Sequence, residues 1–285
     1  QQRLAYAKEN IDLQQETLQV VRGRFEAGLT GELDVRQAEM NLAATTAQVP
    51  ALESQIEKSL NALCVLTGQL PGALDALREP GPVPAATALP GLLPTELLRR
   101  RPDVRSAERA LAAQTAKIGV AQADYFPALS LNGTFALAAT DGGELFTSAA
   151  QDFTVGPSLT WAIFNAGKIR NHVRAEEAST RAALAAYEKT VLAAYQECED
   201  ALAAYANEAQ RLDSLRAAAT AAEQSVELVN ELYRSGLANF QNVLDMQRQL
   251  SSYQDALAQS RGQSAANLVA VYKAFGGGWT VDAGR

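Results

Sequence analysis

A seven-residue repeat of apolar and small side chains runs from Lys168 to Tyr233 without a Pro or Gly, and it limits the folds open to this chain. Its second row, three places on, is interrupted only by Glu208. A sustained seven-residue repeat is typical of helices that supercoil left-handedly around one another. At about 1.5 Å per residue this stretch forms a rod of roughly 100 Å. Because such a rod cannot bury its apolar seam within a compact domain, we predict that it packs against other long helices.

Composition and charge exclude several classes of function. The net charge is −7 at pH 7, and the one basic cluster, Arg99–Arg101, is followed by Asp103, so nucleic acid is a poor partner. Cys64 and Cys198 are predicted to be buried thiols, with a disulfide as the alternative. The single histidine, His172, is predicted to be solvated, and no Cys pair has the spacing of metal ligands. We therefore expect that the protein is not an enzyme and binds no metal or cofactor.

The two ends of the chain repeat one another. Adding 208 to each position places Arg3 on Arg211 and Gly68 on Gly276 without a gap. The glycine that ends the first helix, Gly28, falls on Gly236. This agreement predicts two copies of a helical hairpin. Since the chain opens inside a helical pattern, we expect it to be a fragment or processed form of a longer protein.

Two runs of twelve residues, 128–139 and 153–164, alternate with a period of two and predict a β-hairpin. One face is apolar and the other carries uncharged Ser, Thr and Asn. The alternatives are a soluble ribbon and a hairpin that other subunits complete into a membrane barrel. Pro157 argues against a membrane strand, because it removes one hydrogen-bond donor from the ladder. An isolated hairpin is only marginally stable in water, however, and lipid tolerates no unpaired strand edge, so the membrane barrel is favoured. The predicted membrane-facing residues are Leu129, Leu131, Phe135, Leu137, Phe153, Val155, Leu159, Trp161 and Ile163.

Four motifs carry a resemblance to a known family. Residues 97–108 read LLRRRPDVRSAE, 118–127 read IGVAQADYFP and 156–164 read GPSLTWAIF. The fourth is the Gly236 turn followed by VLDMQR at 243–248. With these motifs the chain resembles the outer-membrane efflux channels of the TolC superfamily, in the OprM/NodT branch.

The resemblance implies a mainly α fold, in which long antiparallel coiled-coil helices form an α-barrel subunit and a transmembrane β-hairpin contributes to a shared β-barrel. It implies a homotrimeric lipoprotein of the Gram-negative outer membrane that extends into the periplasm and works with a periplasmic adaptor and an inner-membrane RND pump. The expected parts are a first helical hairpin (1–67), a Pro-rich equatorial connector (68–94), helices leading to the membrane (95–127), the β-hairpin (128–164), the long helix with the second hairpin (165–275) and a tail (276–285).

The resemblance also implies a periplasmic gate beside the second turn. Its candidate residues are Gln241, Asn242, Asp245, Arg248 and Asp34. Three copies of Asp245 would form a ring of carboxylates that attracts cations. A local ion pair between Asp245 and Arg248 is the alternative interpretation.

The predicted function is a passive exit duct for drugs and other small toxic compounds. A soluble periplasmic coiled-coil scaffold or adaptor is the first alternative, and a hydrolase that uses helix-face carboxylates is the second. The scaffold predicts that the hairpin stays in water, whereas the duct predicts that it enters lipid. The hydrolase requires a cleft that shifts the pKa values of its carboxylates.

Overall fold

The computed structural model of the protein describes residues 1–79, 81, 101–139, 143, 146–148 and 151–277. Most of the Pro-rich connector and nearly all of the tail predicted from the sequence lie outside these residues. The described elements are α1 (Gln2–Glu26), α2 (Glu32–Thr46), α3 (Gln48–Leu66), a 3₁₀ turn (Asp75–Arg78), α4 (Pro102–Ala123), β1 (Ala128–Leu137), β2 (Gln151–Thr160), α5 (Lys168–Arg234) and α6 (Phe240–Ala274). Long helices with one antiparallel hairpin confirm the predicted fold class.

The chain divides into two compact units that share α5. One unit contains α1, α2, α3, α6 and the part of α5 from Cys198 onward. The other contains α4, the β-hairpin and α5 up to Glu197. Within the described ranges, none of the helices combines the length and the apolar character that a membrane crossing requires.

Both repeats end their first helix in the same way. Gly28 and Gly236 have φ values of 73° and 77°, a left-handed conformation that costs glycine little. The amide of Leu29 donates to the carbonyl of Arg24, and the amide of Leu237 donates to that of Leu232, each at 2.8 Å. These are the six-to-one bonds of a Schellman cap. The repeat read from the sequence therefore extends to the hydrogen bonds of its turns.

Pro50 lies close to a break between two consecutive helices, α2 and α3. α2 ends at Thr46 and α3 begins at Gln48, with Ala47 between them. A proline ring clashes with the carbonyl four residues before it and offers no amide to that carbonyl. For Pro50 that carbonyl belongs to Thr46, the residue at which α2 ends.

The hydrophobic core of the first unit lies beside the two turns. Val21 and Val243 are fully buried, and the 208 offset pairs them with Val229 and Val35, which are buried as well. The cluster joins all four helices at this end. Its members are Leu18, Val21, Val35, Ala38, Val229, Tyr233, Phe240, Val243 and Leu244.

The β-hairpin is shorter than its sequence pattern. β1 and β2 each contain 10 residues, rather than the twelve expected. The last pair of the ladder is Ala128 with Thr160, so the next pair would be Pro127 with Trp161. The ladder ends at that point, although it continues past Pro157, which pairs with Leu131 and also has no amide hydrogen. Trp161 and Ile163, predicted as strand residues, therefore lie beyond β2, although both are exposed.

Candidate functional site

The first group of candidate residues surrounds the start of α6. Asn239 accepts a hydrogen bond from the amide of Asn242 at 3.0 Å and so caps this helix. One turn further on, the side-chain amide of Gln241 donates to Asp245 Oδ1 at 3.0 Å. Gln241, Asn242, Asp245 and Arg248 are all exposed. Four polar side chains on the first two turns of one helix thus remain available to solvent.

The local ion pair that was the alternative interpretation of Asp245 is not formed. Among the ion pairs of the described residues, none joins Asp245 to Arg248. The nearest polar contact of Asp245 comes from the neutral Gln241. Its carboxylate therefore keeps its charge facing outward beside an amide donor.

Asp34, the candidate from the first repeat, lies on the first turn of α2. It accepts a hydrogen bond from the hydroxyl of Thr30 in the preceding turn. The 208 offset places Ala238 at the position of Thr30, so the second repeat has no equivalent hydroxyl. The two turns thus have the same backbone conformation but differ in their polar side chains.

A contact between the repeats was missed from the sequence. Arg24 Nη1 donates to the carbonyl of Arg234 at 2.9 Å, and its guanidinium carbon lies 4.9 Å from the centre of the Tyr233 ring. The first bond satisfies a carbonyl at the C-terminal end of α5, where a positive charge is favourable. Tyr233 is almost fully buried, and this burial raises the pKa of its hydroxyl. Arg24 therefore holds the second turn against the first helix.

A row of buried polar side chains crosses the same interface. Gln247 donates to Thr17 Oγ1 at 2.8 Å, and Asn10 donates to Gln254 Oε1 at 2.7 Å. Asn41 of α2 donates to Gln247 Oε1 at 3.4 Å. Asn10 and Thr17 are seven residues apart, as are Gln247 and Gln254. A search for polar residues at this spacing could have found the row, whereas a search for apolar heptads passed over it.

The β-hairpin separates two chemically different faces. Leu129 lies opposite Leu159, and Phe135 lies opposite Phe153. On the other face the hydroxyls of Ser130 and Ser158 are 2.8 Å apart. All nine predicted membrane-facing residues are exposed in the chain by itself, from 38% for Leu137 to 80% for Ile163. Trp161 donates its indole N–H to the carbonyl of Tyr125 at 3.1 Å, which fixes its ring at the end of the hairpin.

The basic cluster noted in the sequence ends at Arg101, a buried arginine with two half-exposed carboxylate partners. Arg101 is 8% exposed and donates to Asp103 at 2.8 Å and to Glu197 at 2.6 Å. The hydrogen bond from Arg101 holds the pKa of Asp103 below its usual value. Gly276 lies against Arg101, and a Cβ there would stand 3.4 Å from Arg101 Cγ. This arginine therefore joins α4 to α5 instead of offering charge to a ligand.

The remaining candidates for chemistry stand apart. His172 is half exposed, with Nδ1 3.5 Å from Asp124 and Nε2 3.7 Å from Glu176. Cys64 and Cys198 are buried thiols that form no disulfide, which confirms the first of the two interpretations. In the part of the chain that the structure describes, no three His, Cys, Asp or Glu side chains are grouped so that they could hold a metal ion.

Comparison with known proteins gives one consistent answer. The family model described as "Outer membrane efflux protein" matches residues 1–69 and 93–277. The solvent efflux pump outer membrane protein SrpC of Pseudomonas putida is 34% identical over 267 residues, which are 93% of this chain and 57% of SrpC. The outer membrane protein OprJ of Pseudomonas aeruginosa is 33% identical over 285 residues, which are 99% of this chain and 59% of OprJ.

A solved structure of the outer-membrane channel OprN superposes with a TM-score of 0.86 at 41% identity, covering 97% of this chain and 62% of OprN. The chain thus spans somewhat less than two thirds of the proteins it matches. The predicted family is confirmed, and with it the non-enzymatic class and the outer-membrane localisation. The chain belongs to the outer membrane efflux protein family.

Proposed function

We propose that this chain is the main part of an exit duct that conducts small molecules passively from an efflux pump across the periplasm and the outer membrane. The duct is a homotrimer that works with a periplasmic adaptor and an inner-membrane RND pump. The apolar face of β1 and β2 contacts the lipid, and residues 1–67 and 165–275 build the periplasmic tunnel. Drugs and other toxic compounds are the proposed cargo, as the name of the solvent efflux protein SrpC suggests.

The exposed apolar face of the β-hairpin carries this proposal. Leu129, Leu131 and Leu159 are each about 70% exposed, on the same side of a two-stranded sheet. A soluble scaffold would leave this face in water, whereas lipid covers it. Lipid also requires every strand edge to be paired, which strands from other copies would accomplish. The soluble scaffold therefore explains the helices but not the hairpin.

In this proposal the narrow end of the duct lies at the turns of the two repeats. Asp245 presents an outward carboxylate held by Gln241, and Asn242, Arg248 and the first-repeat Asp34 stand on the neighbouring turns. Three copies of Asp245 around a common axis form an acidic constriction. Its charge attracts cations, and the bound cations hold the closed end together.

Conductance in planar lipid bilayers tests both parts of the proposal. The protein at its natural length should insert and conduct, and Asp245→Ala should raise conductance and lower cation selectivity because the acidic ring is lost. Asp213→Ala is the matched control, since Asp213 is an exposed aspartate of α5 distant in sequence from the turn. A protein that stays in the aqueous phase would support the scaffold instead. Unchanged conductance and selectivity in Asp245→Ala would remove Asp245 from the gate.

A further inference from the structure

The strands of the β-hairpin carry a single ionisable side chain. Each strand has 10 residues, and Asp152 in β2 is the one Asp, Glu, Lys, Arg or His among them. The sequence has no Lys, Arg or His between Lys117 and Lys168, so the hairpin supplies no basic partner for this carboxylate. Among the ion pairs of the residues that the structure describes, none includes Asp152. Its charge is therefore not neutralised within the hairpin.

The register of the sheet decides on which face Asp152 lies. Consecutive pairs join β1 to β2 without a bulge from one end of the ladder to the other, and Asp152 lies opposite Ala136. Because side chains alternate between the two faces of a strand, Asp152 shares its face with Ser158. The hydroxyl of Ser158 is 2.8 Å from that of Ser130. Asp152 therefore belongs to the polar face of the hairpin, not to the apolar one.

Asp152 also lies near one end of the ladder. Its pair with Ala136 is the second from the turn, whereas the pair of Ala128 with Thr160 is at the end that leads into α4 and α5. At about 3.4 Å per residue, Asp152 is roughly 27 Å along β2 from Thr160. In the proposed duct the helices are periplasmic and the apolar face contacts lipid. Asp152 then faces the water-filled interior close to the outer mouth, and its carboxylate avoids lipid, where a charge destabilises a barrel.

The rest of the polar face forms hydrogen bonds without carrying charge. The side-chain amide of Asn132 donates to Ser158 Oγ at 3.2 Å, and hydroxyls make up most of the remaining polar groups. Hydroxyl and amide groups both donate and accept, so they can solvate compounds of either charge. Only Asp152 on this face can distinguish a cation from an anion by its charge.

We infer that Asp152 sets the charge selectivity of the outer mouth of the duct. Three copies of Asp152 form a ring of carboxylates there, which concentrates cations and repels anions. Cationic compounds consequently leave the duct more readily than anionic ones, while the passage of uncharged compounds does not depend on the ring. This inference rests on the proposed function, to which it adds a residue that discriminates between cargoes after they have passed the proposed gate.

Reversal potentials of the natural-length protein in planar lipid bilayers test the inference. In a KCl gradient near 0.01 M, where the Debye length is about 30 Å, Asp152→Asn should roughly halve the permeability ratio of K⁺ over Cl⁻. The difference should shrink near 1 M salt, where the Debye length is about 3 Å. The matched variant is Ala136→Asp in the Asp152→Asn background, which returns a carboxylate to the directly opposite position and should restore the ratio.

Charged thiol reagents change the sign of the charge at the same position. In Asp152→Cys, a methanethiosulfonate reagent attaches its substituent to the thiol through a disulfide and releases methanesulfinate. A sulfonate-bearing substituent should restore the cation preference, and a trimethylammonium-bearing one should reverse it. In Phe153→Cys, on the opposite face, neither reagent should change the current. The parent protein gives the background from Cys64 and Cys198, which are buried.

The outcomes separate this inference from the function on which it rests. Lost selectivity in Asp152→Asn, its return with Ala136→Asp and its reversal by the cationic reagent support the ring. A conducting trimer whose permeability ratio is unchanged in Asp152→Asn and after both reagents overturns the ring and leaves the duct intact. A response in Phe153→Cys instead of Asp152→Cys overturns the assigned face. A protein that does not conduct overturns both the ring and the duct.

Discussion

The buried amide of Gln247 allows the polar interface between the repeats to be measured. Gln247 is 2% exposed, donates to Thr17 and accepts from Asn41. Gln247→Ala removes two hydrogen bonds worth about 1 kcal/mol each and leaves the buried Asn41 amide without this acceptor, at a further cost of about 1–3 kcal/mol. Together these terms lower the free energy of unfolding by about 3–5 kcal/mol, and the loss of packed methylenes adds to this.

Urea denaturation followed by circular dichroism, with the natural-length protein in detergent, measures this change. Gln247→Leu restores most of the volume but not the acceptor, so it should cost about 1–3 kcal/mol. The matched control is Glu39→Ala, at the 208-related position of the first repeat, where the free energy of unfolding should change much less because Glu39 makes only solvent-accessible ion pairs. If Gln247→Ala unfolds within about 1 kcal/mol of the parent protein, the polar row does not hold the repeats together.

Three further changes test other parts of the structure. Arg101→Ala should lower the free energy of unfolding by about 1–3 kcal/mol, a modest loss because Asp103 and Glu197 are half exposed and regain water. Arg101 lowers the pKa of Asp103, so this stabilisation is present above about pH 4 and is lost as the pH falls further. The free energy of unfolding should therefore change less between pH 7 and pH 3 in the variant than in the parent protein. Burial raises the pKa of Tyr233, so above about pH 10 this tyrosine ionises in the unfolded chain before it does so in the folded one, and stability falls. The melting temperature of Tyr233→Phe should therefore fall less with rising pH than that of the parent protein. Ala166 has φ 48°, and Ala166→Gly should raise stability by up to about 1 kcal/mol whereas Ala166→Val should lower it, as a thermal melt of each variant would show.

The period of the side chains predicted the helices and the repeat because both are local properties of the sequence. The seven-residue repeat predicted the long helix α5, and the glycines at 28 and 236 marked the turns. The ends of the strands were misplaced because the alternating pattern continues past the last paired residues, Leu137 and Thr160. A register must be known before such an effect can be predicted.

The contacts of the candidate site were harder to predict. Asp245 bonds to Gln241 instead of Arg248, although both spacings suit a helix. Spacing alone could not choose between them, because helical neighbours compete for the same carboxylate. Arg24 was missed for another reason: its partners, Tyr233 and the carbonyl of Arg234, are more than 200 residues away and meet it only once the hairpins pack.

The two-stranded hairpin has a consequence for biogenesis. Unpaired strand edges and an apolar face make an early monomer prone to aggregation in water. In the homotrimer that we propose, a newly exported polypeptide needs a holdase until its strands pair with those of other copies. We expect strand pairing, insertion and subunit association to occur as one coupled event, so that mature monomers do not accumulate.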